Sequence, residues 1–150
     1  NASDSATTSN TTTEAPAATP AAPAETPAAP AGGANVDLSN KGIGPVKTVN
    51  PPLAATPDQA LAEKGKELFK LNCTACHKPT KKFIGPAPKG ILERRAPEWV
   101  LNMILNPEGM IAQDPIAKQL LAEANGAPMA NQHLTEEQAR AILEYFRTIE

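Results

Sequence analysis

Cys73-Thr74-Ala75-Cys76-His77 is the stretch that decides this chain. Two cysteines three positions apart on one helical turn point the same way, and the histidine that follows turns its imidazole across the same face. C-x-x-C-H is the attachment signature of a c-type haem: two thiols become thioethers on one edge of the porphyrin and the histidine becomes an iron ligand. The spacing therefore predicts haem binding through Cys73 and Cys76, with His77 as the metal ligand. Two other chemistries use a C-x-x-C pair. A thioredoxin-like dithiol expects a βαβ setting, which the sequence lacks, and a structural zinc needs four ligands. The chain has no third cysteine, and its only other histidine is His133.

Working upstream, Thr56-Pro57-Asp58-Gln59 reads as a helix start, with Thr56 as N-cap, Pro57 in the first turn and Gln59 closing a capping box. The helix should run to about Leu71 and carry Leu61, Gly65, Leu68 and Phe69 on one face, with Gly65 allowing a second helix to approach closely. Downstream, Thr135-Glu136-Glu137-Gln138 repeats the capping device. Ala139, Ile142, Leu143, Phe146 and Ile149 then form an apolar stripe, with Tyr145 beside it. Between these ends, Pro97 to Leu105 reads as a helix stopped by Asn106-Pro107, and Asp114-Pro115 starts another that ends near Gly126. Nothing reads as a sheet, so the expected class is all-α.

The N-terminal third has another character. Residues 1–34 are almost wholly Ala, Pro, Thr, Ser and Asn. Such a stretch has too little apolar area to offset its ordering entropy, and it reads as a disordered tether. Proline-rich chain extends at ~3.1 Å per residue and would hold a head tens of ångströms from an anchor. Residues 35–55 scatter Val36, Leu38, Ile43, Val46, Val49 and Leu53 among Gly and Pro, which fits an extended arm pressed on the domain or on a partner. Residues 56–150 form the expected folded unit, near the lower size limit for unaided folding, so that a covalent apolar haem would supply much of the core. No signal peptide and no apolar run of membrane-spanning length appears. The expectation is a mature chain whose leader, or lipid-modified cysteine, lay upstream of Asn1.

From Gly65 to Tyr145 the sequence resembles the class I c-type cytochromes, the small monohaem family with His/Met ligation. The resemblance is carried by Gly65 and Phe69 in the first helix, Cys73-x-x-Cys76-His77, Gly85-Pro86, Leu105-Asn106-Pro107 after a central helix, Pro128-Met129, and a last helix with Ile142 and Tyr145. It implies a cytochrome c fold of four to five helices wrapped around one haem c. The sequence departs from the family pattern at Pro88, where G-P-x-L-x-G would have leucine, and in an insertion-like helix around Ile116 to Asn125.

The residues leave four candidates for the sixth iron ligand. Met103 lies inside the apolar run 99–105, where methionine is usually core filling. Met110 follows Glu108-Gly109 in a turn, and His133 lies in the last loop. Met129 sits in a proline-flanked loop ahead of a capped helix, and the resemblance gives that position to the axial methionine. It also implies that the Pro86 carbonyl accepts the His77 ring N–H. Trp99 reads either as a donor to a haem propionate or as a core aromatic.

The net charge is −2. Lys78, Lys81, Lys82, Lys89, Arg94 and Arg95 follow the motif with only Glu93 opposing them, which predicts a basic surface at the haem edge that would dock on an acidic partner patch. Nucleic acid is not expected, because aromatics are scarce and the domain is not basic overall. The resemblance implies a single-electron carrier rather than an enzyme, passing electrons from a quinol-oxidising complex to a terminal oxidase or reductase. It further implies a periplasmic or other extracytoplasmic location, with the tail as membrane tether. The alternative is a gas-binding haem sensor or small haem enzyme with an open sixth iron position.

Overall fold

The computed structural model describes residues 36–150; the expected tether at 1–34 lies outside the described residues. Among them are six helices: α1 (Gln59–Asn72), α2 (Ile91–Arg94), α3 (Pro97–Leu105), α4 (Pro107–Gln113), α5 (Pro115–Glu123) and α6 (Glu136–Arg147). The only strand-like feature among the described residues is an isolated bridge between Asp37 and Arg95. The all-α expectation holds, with α2 and α4 added to it.

Helix α1 starts later than Thr56 would place it. Asp58 is the N-cap, its carboxylate accepting the Leu61 N–H at 3.0 Å. Its own N–H donates to Glu144 Oε2 at 3.1 Å. A tertiary partner thus fixes the start where local capping rules favoured Thr56. Helix α6 begins as expected, with the capping box between Thr135 and Gln138 complete. Proline opens α3, α4 and α5. In the first turn its missing N–H costs nothing, because that donor has no intrahelical partner.

The two long helices cross at Gly65. A Cβ there would lie 2.8 Å from the Ile142 backbone N and closer still to the Ala141 carbonyl, so only glycine permits this approach. Around the crossing Phe69 meets Tyr145 at 5.6 Å and Phe146 at 5.8 Å between ring centroids, the second edge to face. Ile142 and Leu143 are fully buried. This pair forms the platform from whose end the Cys73–His77 turn projects.

The arm packs along the domain. Buried Asn102 of α3 accepts the Val46 N–H at 2.9 Å and donates to the carbonyls of Val46 at 2.8 Å and Lys41 at 2.9 Å. Asn106 donates to the Ile43 carbonyl at 3.1 Å, while Val46 and Val49 enter the core. Arg140 and Arg147 of α6 hold the carbonyls of Pro51 and Ala54. Both arginines also pair with Glu144, at 3.1 and 2.8 Å, and this carboxylate is 1% exposed. A buried carboxylate flanked by two guanidinium groups ties arm, α1 and α6 together, its charge compensated on both sides.

Candidate functional site

As α1 ends, the chain makes one more tight turn. The N–H groups of Cys76 and His77 both donate to the Cys73 carbonyl, at 3.1 and 2.9 Å. This places both thiols and the imidazole within a single turn. Cys73 is half-buried, Cys76 is exposed, and neither is in a disulfide. Burial pushes the Cys73 thiol up to about 11, the opposite of the lowered thiol of a redox dithiol. Zinc fares no better: among the described residues no group of three or more His, Cys, Asp or Glu could hold a metal ion.

The loop after the motif folds back onto it. Gly85 N–H donates to the Cys76 carbonyl at 2.8 Å, Phe83 N–H to the Gly85 carbonyl at 3.1 Å, and Lys89 N–H to the Pro79 carbonyl at 3.1 Å. This brings Pro86 to the ring: His77 Nδ1 lies 2.8 Å from the Pro86 carbonyl oxygen. A carbonyl only accepts, so Nδ1 carries the proton and Nε2 is the nitrogen open to a metal. Buried Gly85 lies beneath the imidazole, where a Cβ would come within 2.7 Å of Nδ1 and 2.9 Å of Nε2. That cradle is a site feature which the motif alone did not disclose.

These residues fit a haem. One imidazole nitrogen is fixed and the other open, with two thiols on the same turn. Beside Cys76 the loop also leaves Phe83 49% and Ile84 42% exposed, apolar surface of the kind a flat macrocycle covers.

The structure treats the four sixth-ligand candidates differently. Met110 is fully buried in α4 and its sulfur accepts the Ile43 N–H at 3.0 Å, which makes it core and an anchor of the arm. Met103 is half-buried against the core on α3. His133 is exposed with φ 53° and its N–H donates to Asn131 Oδ1 at 2.8 Å. Met129 is half-buried in the non-helical segment between α5 and α6.

Trp99 is not left open for a propionate. It is 3% exposed and its indole N–H donates to Asp114 Oδ1 at 3.2 Å. The same buried carboxylate caps α5 through the Ala117 N–H at 2.8 Å and accepts from Asn40 Nδ2 at 2.6 Å. Trp99 is therefore a core aromatic whose one donor is already used.

The basic surface also thins. Arg95 is buried, with its guanidinium 5.5 Å from the Trp99 ring centroid. Arg94 is half-buried and turned onto backbone carbonyls. Lys78, Lys81, Lys82 and Lys89 stay exposed. Of these Lys78 stands 4.9 Å from the Phe83 ring centroid and Lys82 donates to the Glu123 carbonyl at 3.0 Å. Counting cations along the sequence could not separate the two arginines from the lysines, because what buries them is the fold.

The family model for cytochrome c matches residues 62–150. Among solved structures, a cytochrome c from Rhodothermus marinus is 49% identical, with a TM-score of 0.67 over 71% of this chain and 89% of its own. Two engineered forms of the Rhodothermus marinus protein are each 48% identical over 71% of this chain. One covers 90% of its own length with a TM-score of 0.66; the other, bound to a carbene intermediate, covers 89% with a TM-score of 0.64. No curated protein sequence matches the chain.

Proposed function

The chain belongs to the cytochrome c family, with a haem c attached through Cys73 and Cys76, and from that premise we propose that it is a single-electron carrier of a respiratory chain and not an enzyme. When bound, the haem supplies a one-electron Fe(II)/Fe(III) couple. The observation that carries the reading is the 2.8 Å contact between His77 Nδ1 and the Pro86 carbonyl, which fixes the orientation of the ring. A ligand held this way needs little rearrangement when the charge on the metal changes, which suits electron transfer. We assign the sixth position to Met129: its segment is anchored by the Thr135 cap on one side, and Asn131 donates to Glu108 of α4 at 3.3 Å. A thioether there raises the reduction potential and closes the iron to substrates.

The four exposed lysines, Lys78, Lys81, Lys82 and Lys89, lie in the same segment after the attachment motif as exposed Phe83 and Ile84, with Lys78 over the Phe83 ring. On this reading they steer an acidic patch of a quinol-oxidising complex, or of a terminal oxidase or reductase, towards the attachment edge at exposed Cys76, in fast and salt-sensitive encounters. The location is periplasmic or otherwise extracytoplasmic, with residues 1–34 tethering the domain to a membrane. Among the described residues no helix is long and apolar enough to cross one.

The engineered relative bound to a carbene intermediate favours a second reading, in which the sixth position opens for sensing or catalysis. Carbon monoxide added to the reduced, haem-loaded protein separates the two. An unchanged spectrum is expected of the carrier, and rapid binding would replace that reading with the second.

A further inference from the structure

Arg94, at the end of α2, reads in the sequence as one of several surface cations. In the structure its guanidinium turns inward onto backbone. Nη1 donates to the carbonyls of Lys89 at 3.1 Å and Gly90 at 3.0 Å, and Nη2 to that of Ala87 at 3.3 Å. These three carbonyls belong to the turn that directly follows Pro86, whose own carbonyl faces His77 Nδ1. From the other side the Arg94 carbonyl accepts the Asp37 N–H at 3.0 Å, so the arm's first described residues hold the same corner. Three carbonyls reached by two guanidinium nitrogens suit its fork; the compact ammonium of lysine offers no equivalent.

We propose that Arg94 is a positioning residue for the haem's histidine ligand. By fixing the carbonyls of Ala87, Lys89 and Gly90 it fixes the direction in which Pro86 presents its own carbonyl to the His77 Nδ1–H. It thereby sets how strongly that ring donates to iron. A stronger Nδ1–H bond gives the imidazole more negative character and favours the ferric state; a loosened turn does the reverse. The inference rests on His77 as an iron ligand and does not depend on which group holds the sixth position.

The test uses the full, haem-loaded chain and the variants Arg94→Lys, Arg94→Gln and Lys89→Ala. The readouts are solvent exchange of the His77 Nδ1 proton, followed by NMR in the reduced state, and the reduction potential. The amide of Leu143, buried in α6, reports global opening. Arg94→Lys keeps the charge and loses the fork. It should speed Nδ1–H exchange by about tenfold beyond any change at Leu143, the scale of one weakened hydrogen bond, and raise the potential. Arg94→Gln should show the same excess exchange. Lys89→Ala removes a nearby charge while leaving the carbonyl contacts, and should leave the exchange rate unchanged. Exchange that merely tracks Leu143 in Arg94→Lys, or an equal acceleration in Lys89→Ala, would overturn the proposal. If Arg94→Gln does not mature, Arg94→Lys alone decides. Carbon monoxide binding by the parent would refute the carrier reading and leave this test standing.

Discussion

Replacing Gly85 by alanine inserts one methyl group under the His77 imidazole. Its Cβ would stand 2.7 Å from His77 Nδ1 and 2.9 Å from Nε2, against an ordinary contact of 3.4 Å or more. The ring cannot give that much and keep its partner. The bond to Pro86 is 2.8 Å, and such bonds weaken as they stretch past about 3.2 Å and bend off line. Alanine therefore weakens or breaks the hydrogen bond, or pushes the His77 ring out of its present position. Overpacking costs about 1–3 kcal/mol and the lost bond about 1 kcal/mol. Reduced freedom of the unfolded chain returns about 0.4–1 kcal/mol. A net loss near 2 kcal/mol would lower the melting temperature of a domain of this size by about 10 °C. The assay is guanidinium unfolding of the haem-loaded protein, followed at the haem and in the far ultraviolet, with a redox titration beside it. Weaker donation from His77 should also raise the potential of whatever fraction matures. Stability within about 0.5 kcal/mol of the parent, with an unmoved potential, would refute the cradle argument.

Other substitutions probe the scaffold. Gly65→Ala sets a methyl against the Ala141–Ile142 backbone, and helix propensity returns only about 1 kcal/mol; the haem-loaded variant should unfold at clearly lower denaturant, and an unchanged midpoint would contradict the α1–α6 crossing. Asn102→Leu strands the Val46 N–H and leaves the carbonyls of Val46 and Lys41 without this donor. It should cost about 2–4 kcal/mol and expose residues 41–46 to proteolysis, whereas parent-like resistance would mean that Asn102 does not clamp the arm. Burial raises the phenol pKa of Tyr145, the only tyrosine in the chain. The folded state then holds its proton where the unfolded state has lost it, so this contribution to stability is complete below about pH 10 and disappears as the pH rises through the folded pKa. Spectrophotometric titration should show ionisation later in the folded than in the unfolded protein, and the reverse order would contradict the burial.

Helices with strong punctuation were legible in the sequence. Proline after Ala96 and Asp114, the stop of α3 at Asn106-Pro107, and the Thr135–Gln138 box mark local events that need no tertiary help. Helix α4 hid behind the turn signal of Glu108-Gly109; it forms because Met110 is drawn wholly into the core. The four-residue α2 begins after Gly90 in a left-handed conformation and has no periodicity to detect. The arm was legible only as extended chain, because side chains distant in sequence hold its backbone. One hint was available: Asn102, a polar residue inside the apolar run 99–105, is what a buried backbone clamp looks like in sequence. At the site, the attachment motif and the Pro86 contact were readable ahead of the structure. The burial of Arg95 and the inward turn of Arg94 were not, since a cation stacked on Trp99 and one bonded to carbonyls look alike in sequence. The single donor of Trp99 was spoken for by Asp114, which lies 15 positions away.

The account centres on an iron held between His77 and Met129, and the methionine-to-iron absorption band of the oxidised, haem-loaded protein tests it most directly. The band should be present in the parent, retained in Met103→Leu and lost in Met129→Ala. A parent without the band, or a Met129→Ala variant that keeps it, would contradict the carrier assignment.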